Sequence, residues 1–337
     1  MTESPYHAAE GRYEKTAYRR AGASGVLLPP VSLGLWQNFG SQAPFDRSKA
    51  ILHYAFDQGI CHFDLANNYG PAYGTAEETF GRVMRTSFKP YRDELFISSK
   101  AGYDMWPGPY GNWGSRKYLM ASLDQSLKRM GLEYVDLFYT HRFDPLTPLE
   151  ETLQALVDMV RQGKALYVGI SRYPLEETRF AYQYLASQDV PCLLFQDRYN
   201  ILDRGPQEKG LLALCDEQKV GFISFSPLQQ GLLTNRYLEG IPEDSRMALD
   251  FSLRRSSLTP ELLQALRQLN AIAAGRGQSL AQMSISWLLA QESVSSVIVG
   301  ASSVAQLKDN LEAVRNLSFT AEELSEIDRI SAPVQIR

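Results

Sequence analysis

Three ionisable side chains end three successive apolar segments of this chain, and a tyrosine follows the first of them. Asp64 ends "CHFD", Lys100 ends "ELFISSK" and His141 ends "VDLFYTH". Tyr69 lies in the intervening loop "LANNYG". Taken singly, each has an ordinary structural explanation, as a turn-forming aspartate, a solvated lysine or a core histidine. Their matching positions in successive segments instead predict one shared site.

These residue types together suit the reduction of a carbonyl group. The hydroxyl of Tyr69 has an ordinary pKa of about 10, too high for efficient proton transfer at neutral pH, and a neighbouring lysine cation is expected to lower it. A buried Lys100 stays charged only beside a carboxylate, which Asp64 supplies. His141 would then orient the carbonyl oxygen while Tyr69 donates the proton. A hydride must reach the carbon from elsewhere, which indicates a nicotinamide cofactor.

The chain alternates between strand-like apolar segments and segments of helical periodicity. The helical segment 148–163 carries one apolar stripe and ends at Gly163. The eight strand-like segments end at or within a residue of Trp36, Asp64, Lys100, His141, Ser171, Gln196, Ser226 and Gly300. This repetition predicts an α/β fold, a (β/α)8 TIM barrel, preceded by a hairpin in "YRRAGASGVLLPP". In such a barrel all these strand ends meet at one face.

Composition limits the classes of function. The 337 residues are 44% hydrophobic and 21% charged, which suits a loose polar leader at 1–17 and one barrel domain at 18–337. Lys and Arg number 34 against 38 for Asp and Glu, which argues against nucleic-acid binding. No apolar run reaches the roughly 18 residues of a membrane span. The three scattered cysteines form no CxxC, so we expect a cytoplasmic protein without a metal site.

The common nucleotide-binding motifs, GxGxxG after a strand and GxxxxGK[ST], are missing from the sequence. The quoted segments instead resemble the aldo-keto reductases, from about Tyr18 to about Ile330. The matching motifs are "FDLANNYG", "ISSKAGYD" and "FYTHRFD". The resemblance implies this barrel with extra C-terminal helices, NADPH bound without a Rossmann motif, and a catalytic tetrad made of the four residues described above.

The resemblance also implies where the cofactor binds. "GISRY" resembles a segment in which Ser171 and Arg172 approach the cofactor; Ser171 and Gln196 would hold the carboxamide, and Phe225 would stack on the nicotinamide ring. "SPLQQGLLTNRYLEGIPEDSRM" and "VGASSVAQLKDN" resemble the phosphate and adenosine segments of the potassium-channel β-subunit branch and its bacterial relatives. The further implied contacts are Trp36, Asp64, Ser226, Leu228, Gln230, Arg236, Arg246, Gly300, Ser302, Gln306, Asp309 and Asn310.

The adenosine segment departs from the family pattern at two positions. Gly300 and Gln306 replace the lysine and arginine that many members use on the adenosine 2′-phosphate. A preference for NADPH would then depend on Arg236 and Arg246, for which solvated loop arginines are the alternative interpretation. The use of NADH therefore stays open.

The substrate is expected above the strand ends, against Trp36, Phe39, Tyr69 and His141. The loop "GYDMWPGPYGNWG" would form an apolar wall there. Alternatively, it would cap the barrel or form a subunit contact. The longer segment "KAGYDMWPGPYGNWGSRKYL" and "SLGLWQNFG" resemble a bacterial group of L-glyceraldehyde 3-phosphate reductases. A phosphorylated triose needs a cation, for which Arg142 and Arg116 are candidates, whereas methylglyoxal-like aldehydes need none.

The sequence therefore predicts an NADP-dependent oxidoreductase that reduces small aldehydes to alcohols, with the hydride from nicotinamide and the proton from Tyr69. The alternative is a cofactor-holding regulatory module, a role that the channel branch gives to the same barrel. That branch carries asparagine at the position of His141, so the histidine favours turnover. By analogy with relatives we also expect a homo-oligomer.

Overall fold

The computed structural model describes residues 5–243, 247 and 255–336. An antiparallel hairpin of β1 (Arg19–Arg20) and β2 (Leu27–Leu28) precedes eight parallel strands that close into a barrel, with the last strand paired to the first. The barrel strands are β3 (Val31–Gly34), β4 (His62–Asp64), β5 (Phe96–Ala101), β6 (Val135–Thr140), β7 (Ala165–Ser171), β8 (Cys192–Arg198), β9 (Gly221–Phe225) and β10 (Val294–Val299). The predicted hairpin and (β/α)8 barrel are confirmed.

Helices surround the barrel. They are α1 (Phe45–Asp57), α2 (Thr75–Val83), α3 (Arg116–Met130), α4 (Leu149–Arg161), α5 (Leu175–Ser187), α6 (Gly205–Glu208), α7 (Leu211–Gln218), α8 (Pro260–Gly275), α9 (Leu280–Leu289), α10 (Val304–Leu311) and α11 (Ala321–Ser331). In α4 the apolar stripe that includes Leu153 and Leu156 is buried, and Glu150 lies in the first turn, where its charge is favourable. Helix α11 follows the last βα unit and packs on α8.

The buried apolar side chains of the described residues form two cores. The larger one lies between the strands and the helices and includes Phe56 and Trp287. The smaller one fills the barrel, where Tyr139 packs with side chains of the hairpin. Gly169 makes room for this tyrosine, because a Cβ there would lie 2.5 Å from Tyr139 Cε1. Since Ala23 N donates to Lys219 O at 3.0 Å, just before β9, the hairpin covers the amino-terminal end of the barrel. The loops that follow the barrel strands lie at the opposite, carboxyl-terminal end.

Part of the predicted leader lies against the barrel domain. The hydroxyl of Tyr6 donates to Asp57 Oδ1 at 2.7 Å, and Ala8 N donates to Tyr91 OH at 3.0 Å. The ring of Tyr6 also stacks on His53, with centroids 3.8 Å apart. The division into a leader at 1–17 and a domain at 18–337 stays a prediction.

Within the described ranges, none of the helices combines the length and the apolar character needed to cross a membrane. The same part of the chain contains no group of three or more His, Cys, Asp or Glu side chains placed to hold a metal ion. Cys61, Cys192 and Cys215 are all buried free thiols, and burial raises the pKa of Cys61 and Cys215 to about 12. These thiols are therefore poor nucleophiles and poor metal ligands.

Candidate active site

Asp64 and Lys100 form an ion pair inside the barrel, at the carboxyl ends of β4 and β5. Lys100 Nζ donates to Asp64 Oδ2 at 2.5 Å and to Leu65 O at 2.8 Å, and both charged side chains are buried. Burial lowers the pKa of Lys100, and the Asp64 carboxylate opposes that shift. A charge removed from water is tolerated when it is paired and hydrogen-bonded, so each residue depends on the other.

The second oxygen of Asp64 is held by a hydrogen-bonded chain that crosses the barrel. Asp64 Oδ1 accepts from Ser98 Oγ at 2.9 Å and from Gln196 Nε2 at 3.1 Å. Ser98 Oγ lies 3.0 Å from His62 Nε2, and His62 Nδ1 lies 2.8 Å from Ser32 Oγ. Because Ser98 gives its only hydrogen to Asp64, the hydrogen of His62 is assigned to Nε2. Burial lowers the pKa of His62 to about 4, so the ring is neutral near pH 7.

Sequence analysis missed Ser98 and His62, although a usable signal was present. Alternate residues of a strand point to the same face. Ser98 precedes Lys100 by two positions, and His62 precedes Asp64 by two positions. All four side chains are buried, and the contacts just described place them together inside the barrel.

Tyr69 lies in the loop that follows β4. The next residue, Gly70, has a φ of 86°, and a Cβ there would lie 2.7 Å from Thr75 Oγ1, so the turn requires glycine. The centroid of the Tyr69 ring lies 4.9 Å from Lys100 Nζ and 5.8 Å from the centroid of the His141 ring. The structure thus brings the four predicted tetrad residues together.

The pKa of Tyr69 is raised, whereas the sequence led us to expect that Lys100 would lower it. Burial raises this pKa well above 10, and the Asp64 carboxylate and Tyr103 raise it further. The charge of Lys100 is compensated by its ion pair with Asp64, and its Nζ lies over the face of the tyrosine ring. Tyr69 therefore keeps its proton at neutral pH in the molecule described here.

His141 follows β6, and its imidazole is neutral. Burial lowers the pKa of His141 well below its usual 6.5. Three cations lower it further, namely Lys100, Arg172 and Arg142. The ring of Tyr103 packs edge-on against it, with centroids 4.7 Å apart. Among the described residues, none forms a hydrogen bond with its buried Nδ1. A neutral imidazole keeps one N–H that can be donated to a ligand oxygen.

Many of the predicted cofactor residues lie near the carboxyl ends of β7 to β10. The residues at or just beyond these ends are Ser171, Arg172, Phe225, Ser226 and Gly300, and Gln196 lies two residues before the end of β8. Three predicted contacts in this region, Arg172, Ser226 and Gln230, have φ values of 57°, 53° and 57°. This left-handed region is unfavourable for residues other than glycine, and such strain is concentrated at functional sites.

Three predicted cofactor residues carry a buried polar atom that has no hydrogen-bond partner within the part of the chain that the structure describes. The atoms are Ser171 Oγ, Gln230 Oε1 and Asn310 Nδ2. A buried polar group without a partner costs free energy. These three positions come from three different segments, so the unsatisfied atoms are a property of this rim and not of one loop.

In the adenosine segment, Gln306 and Asp309 form hydrogen bonds with neighbouring groups, whereas Gly300 borders open surface. Gln306 Oε1 accepts from Ser302 N at 2.8 Å and from Ser302 Oγ at 3.0 Å. Asp309 Oδ1 accepts from Gln282 Nε2 at 2.8 Å. At Gly300 a Cβ would meet nothing within 4 Å, so the surface beside it is open.

The loop after β9 holds the other predicted phosphate contacts. Leu228 is half-buried against the larger core. Arg236 lies on the surface in the short helical turn Asn235–Tyr237, after Thr234, whose hydroxyl accepts from Arg236 N at 3.2 Å. Arg246, the second arginine predicted to determine the NADPH preference, lies outside the described residues.

The predicted substrate residues separate into exposed and buried ones. Trp36 is 44% exposed, and its ring centroid lies 6.5 Å from that of Tyr69. Phe39 is fully buried in the larger core, so its side chain does not face the open space above the strand ends. Arg116 forms an ion pair with Asp158 of α4. Of the two arginines suggested for a substrate phosphate, this leaves Arg142.

The loop after β5 folds around Arg142. Its Nε donates to Gly102 O at 2.7 Å, and its Nη2 donates to Asn112 Oδ1 at 2.8 Å. The guanidinium carbon lies 3.6 Å from the centroid of the Trp113 ring and 4.2 Å from that of Tyr103. Tyr103, which also contacts His141, was not singled out by sequence analysis. The aromatic residues of this loop therefore hold a cation as well as forming a wall.

Sequence comparison identifies the family. Residues 30–332 match the model of the Aldo/keto reductase family. The chain belongs to this family. It is 57% and 55% identical, over 323 residues each, to the L-glyceraldehyde 3-phosphate reductases of Escherichia coli O157:H7 and strain K12, covering 94% of this chain and 93% of each relative. It is also 36% identical over 324 residues to a probable voltage-gated potassium channel subunit beta of Oryza sativa subsp. japonica, covering 94% and 96%.

These matches confirm the predicted family and its channel-like branch. Aldo/keto reductases generally use nicotinamide cofactors, and the rim of this reductase fits such a group. The hydroxyl of Ser171 and the amide atoms of Gln230 and Asn310, which have no partner among the described residues, suit a ligand with many donors and acceptors. The open surface at Gly300 leaves space beside them.

Proposed function

We propose that this aldo/keto reductase uses NADPH to reduce small aldehydes to alcohols, with Tyr69 as the proton donor. The observation that carries the proposal is that the rings of Tyr69 and His141 lie edge-on, with centroids 5.8 Å apart, and that the buried Asp64–Lys100 pair lies against the tyrosine ring. When bound, the nicotinamide would supply the hydride to the carbonyl carbon.

Each tetrad residue has a separate task in this proposal. Tyr69 donates its hydroxyl proton to the carbonyl oxygen, and His141 donates an N–H to the same oxygen and fixes its position. Lys100 stabilises the negative charge that Tyr69 acquires as its proton leaves. Asp64 keeps the lysine charged and in place, and Ser98 helps to hold the carboxylate.

We propose that the rim holds the cofactor through contacts of several kinds. Ser171 and Gln196 would bind the carboxamide, and Phe225 would pack on the ring. Asn310 would bind the adenosine part through its amide nitrogen, which has no partner within the described ranges. Arg236 would supply a cation for the adenosine 2′-phosphate, which NADH lacks, and this is the basis for proposing NADPH over NADH.

The proposed substrates are L-glyceraldehyde 3-phosphate and small aldehydes such as methylglyoxal. The support for the phosphorylated triose is the name of the E. coli relatives and the 57% identity to one of them. A homo-oligomeric state stays a prediction from the family resemblance, and a cytoplasmic location stays a prediction from the scattered cysteines.

The test compares wild type with Tyr69→Phe, which keeps the ring and removes the hydroxyl that carries the proton. Reduction of glyceraldehyde 3-phosphate, glyceraldehyde and methylglyoxal is followed at the absorbance of reduced nicotinamide, with NADPH and NADH side by side. We expect the variant to bind NADPH as wild type does and to reduce aldehydes about 10²–10⁴-fold more slowly.

A variant rate close to that of wild type would contradict the role of Tyr69. Equal use of both cofactors would contradict the preference assigned to Arg236. A wild-type protein that binds NADPH and reduces none of the three aldehydes would favour the cofactor-holding module instead.

A further inference from the structure

The guanidinium of Arg142 is fixed beside the candidate active site by neutral groups. Two of its nitrogens donate to Gly102 O and Asn112 Oδ1, and its central carbon lies close to the rings of Trp113 and Tyr103. Within the part of the chain that the structure describes, no Asp or Glu forms an ion pair with Arg142, and its Nη1 has no hydrogen-bond acceptor. Its position is therefore defined while its charge is not compensated.

Other arginines of the described chain have a different environment. Arg116, Arg129 and Arg204 each form an ion pair with a carboxylate. In each pair the carboxylate accepts from the guanidinium and compensates its positive charge. Aromatic faces and an amide oxygen hold Arg142 without cancelling its charge, so it remains able to attract an anion.

The location of Arg142 connects this charge to the reacting groups. Tyr103, which Arg142 contacts, packs edge-on against His141 and accepts a hydrogen bond from Arg172 Nη1 at 2.8 Å. Arg142 and Arg172 are both close enough to lower the pKa of His141. Positive charge thus lies beside the imidazole that would bind the carbonyl oxygen.

We propose that Arg142 binds the phosphate group of a phosphorylated aldehyde while His141 and Tyr69 hold its carbonyl oxygen. The inference rests on the proposed function and adds the residue that recognises the phosphate. A guanidinium offers parallel N–H groups that match a phosphate. His141 and the guanidinium of Arg142 both contact the ring of Tyr103, at 4.7 Å and 4.2 Å from its centroid, so the two groups are close. A triose requires this, because only one carbon lies between its carbonyl carbon and the carbon that carries the phosphate. The phosphate ester is unchanged by the reaction, because the hydride and the proton add only to the carbonyl group.

The test compares Arg142→Gln with Arg116→Gln, a matched change at an arginine that is paired with Asp158. The values of kcat/KM are measured for glyceraldehyde 3-phosphate and for glyceraldehyde, which lacks the phosphate. We expect Arg142→Gln to lower kcat/KM about ten- to hundredfold for the phosphorylated substrate and less than about threefold for glyceraldehyde. Arg116→Gln should leave the ratio of the two values unchanged.

Two further measurements distinguish the loss of a phosphate contact from a general disturbance of the loop after β5. Arg142→Lys keeps the positive charge and loses the parallel N–H groups of the guanidinium. Its loss of kcat/KM for the phosphorylated substrate should therefore lie between those of wild type and Arg142→Gln. Binding of glycerol 3-phosphate, the expected product, is compared with binding of glycerol in wild type and in both Arg142 variants. We expect the preference for the phosphorylated compound to fall in the order wild type, Arg142→Lys, Arg142→Gln.

If Arg142→Gln leaves the ratio of the two kcat/KM values unchanged, the assignment of the phosphate to Arg142 is overturned. A wild-type protein that reduces neither aldehyde would overturn the proposed function, and the glycerol 3-phosphate measurement would still decide whether Arg142 binds a phosphate.

Discussion

The barrel interior and the rim of loops above it satisfy their buried polar groups in different ways. Inside the barrel, Lys100 and both oxygens of Asp64 are held by other side chains and by a backbone carbonyl. At the rim, buried polar atoms of Ser171, Gln230 and Asn310 have no partner among the described residues. The contacts around the Asp64 carboxylate are supplied by the protein alone, whereas a bound ligand would supply partners for the three rim atoms that have none among the described residues. Substitutions in the interior should therefore lower the free energy of unfolding, and substitutions at the rim should mainly weaken the binding of a ligand.

The largest expected effect follows from Lys100→Met. Removing one member of a buried ion pair leaves an uncompensated carboxylate, so the free energy of unfolding should fall by about 3–5 kcal/mol. Aldehyde reduction should fall about as far as in Tyr69→Phe, because the charge that develops on Tyr69 loses its stabilising cation. Chemical denaturation and aldehyde kinetics measure the two losses.

A double-mutant cycle isolates the ion pair from the loss of packing. In Asp64→Asn with Lys100→Met both charges are absent, so the double variant should lose less stability than the sum of the single variants. Additive losses would show that the pair contributes no coupling, and the account of interior contacts supplied by the protein would then be wrong.

The second prediction uses pH to disturb the interior network. The pKa of His62 is about 4 in the folded protein, against about 6.5 when unfolded, because burial disfavours its charged form. Between these two values the unfolded chain binds a proton that the folded chain does not. The stability contributed by neutral His62 is therefore fully present above about pH 6.5 and is lost as pH falls toward 4, by up to about 1.4 kcal/mol per pH unit.

The matched variant is His62→Gln, which cannot take up the proton. Denaturation at a series of pH values should show a weaker loss of stability on acidification in the variant than in wild type. His141, whose folded pKa is also lowered, is present in both proteins and cancels in the comparison. Parallel pH profiles would show that His62 is not the group that titrates.

The interior was more predictable from sequence than the rim. The strand ends at Asp64 and Lys100 follow from apolar runs, and a closed barrel brings such ends together whatever the loops do. His62 and Ser98 were predictable from the same period of two, although they were overlooked. Strand geometry determines all four positions, so a local pattern was enough.

The rim depends on contacts that no local pattern encodes. Phe39 was expected at the substrate, yet the turn that carries it buries its ring in the larger core. Arg116 and Arg142 were equivalent by sequence, and only the packing of α3 against α4 and the fold of the loop after β5 distinguish them. The pKa of Tyr69 depends on the depth of its burial, which a motif does not report.

The last prediction compares the same small change in both regions. Ser98→Ala removes a hydroxyl that donates to Asp64 and should lower the free energy of unfolding by about 1–3 kcal/mol, because a charged oxygen loses a partner. Ser171→Ala removes a buried hydroxyl without a partner among the described residues, so stability without cofactor should stay within about 1 kcal/mol of wild type. Affinity for NADPH, measured by titration, should instead fall about three- to tenfold in Ser171→Ala, since one hydrogen bond to the ligand is lost. Equal losses of stability in the two variants, with NADPH affinity unchanged in Ser171→Ala, would remove the distinction between a network completed by the protein and one completed by its ligand.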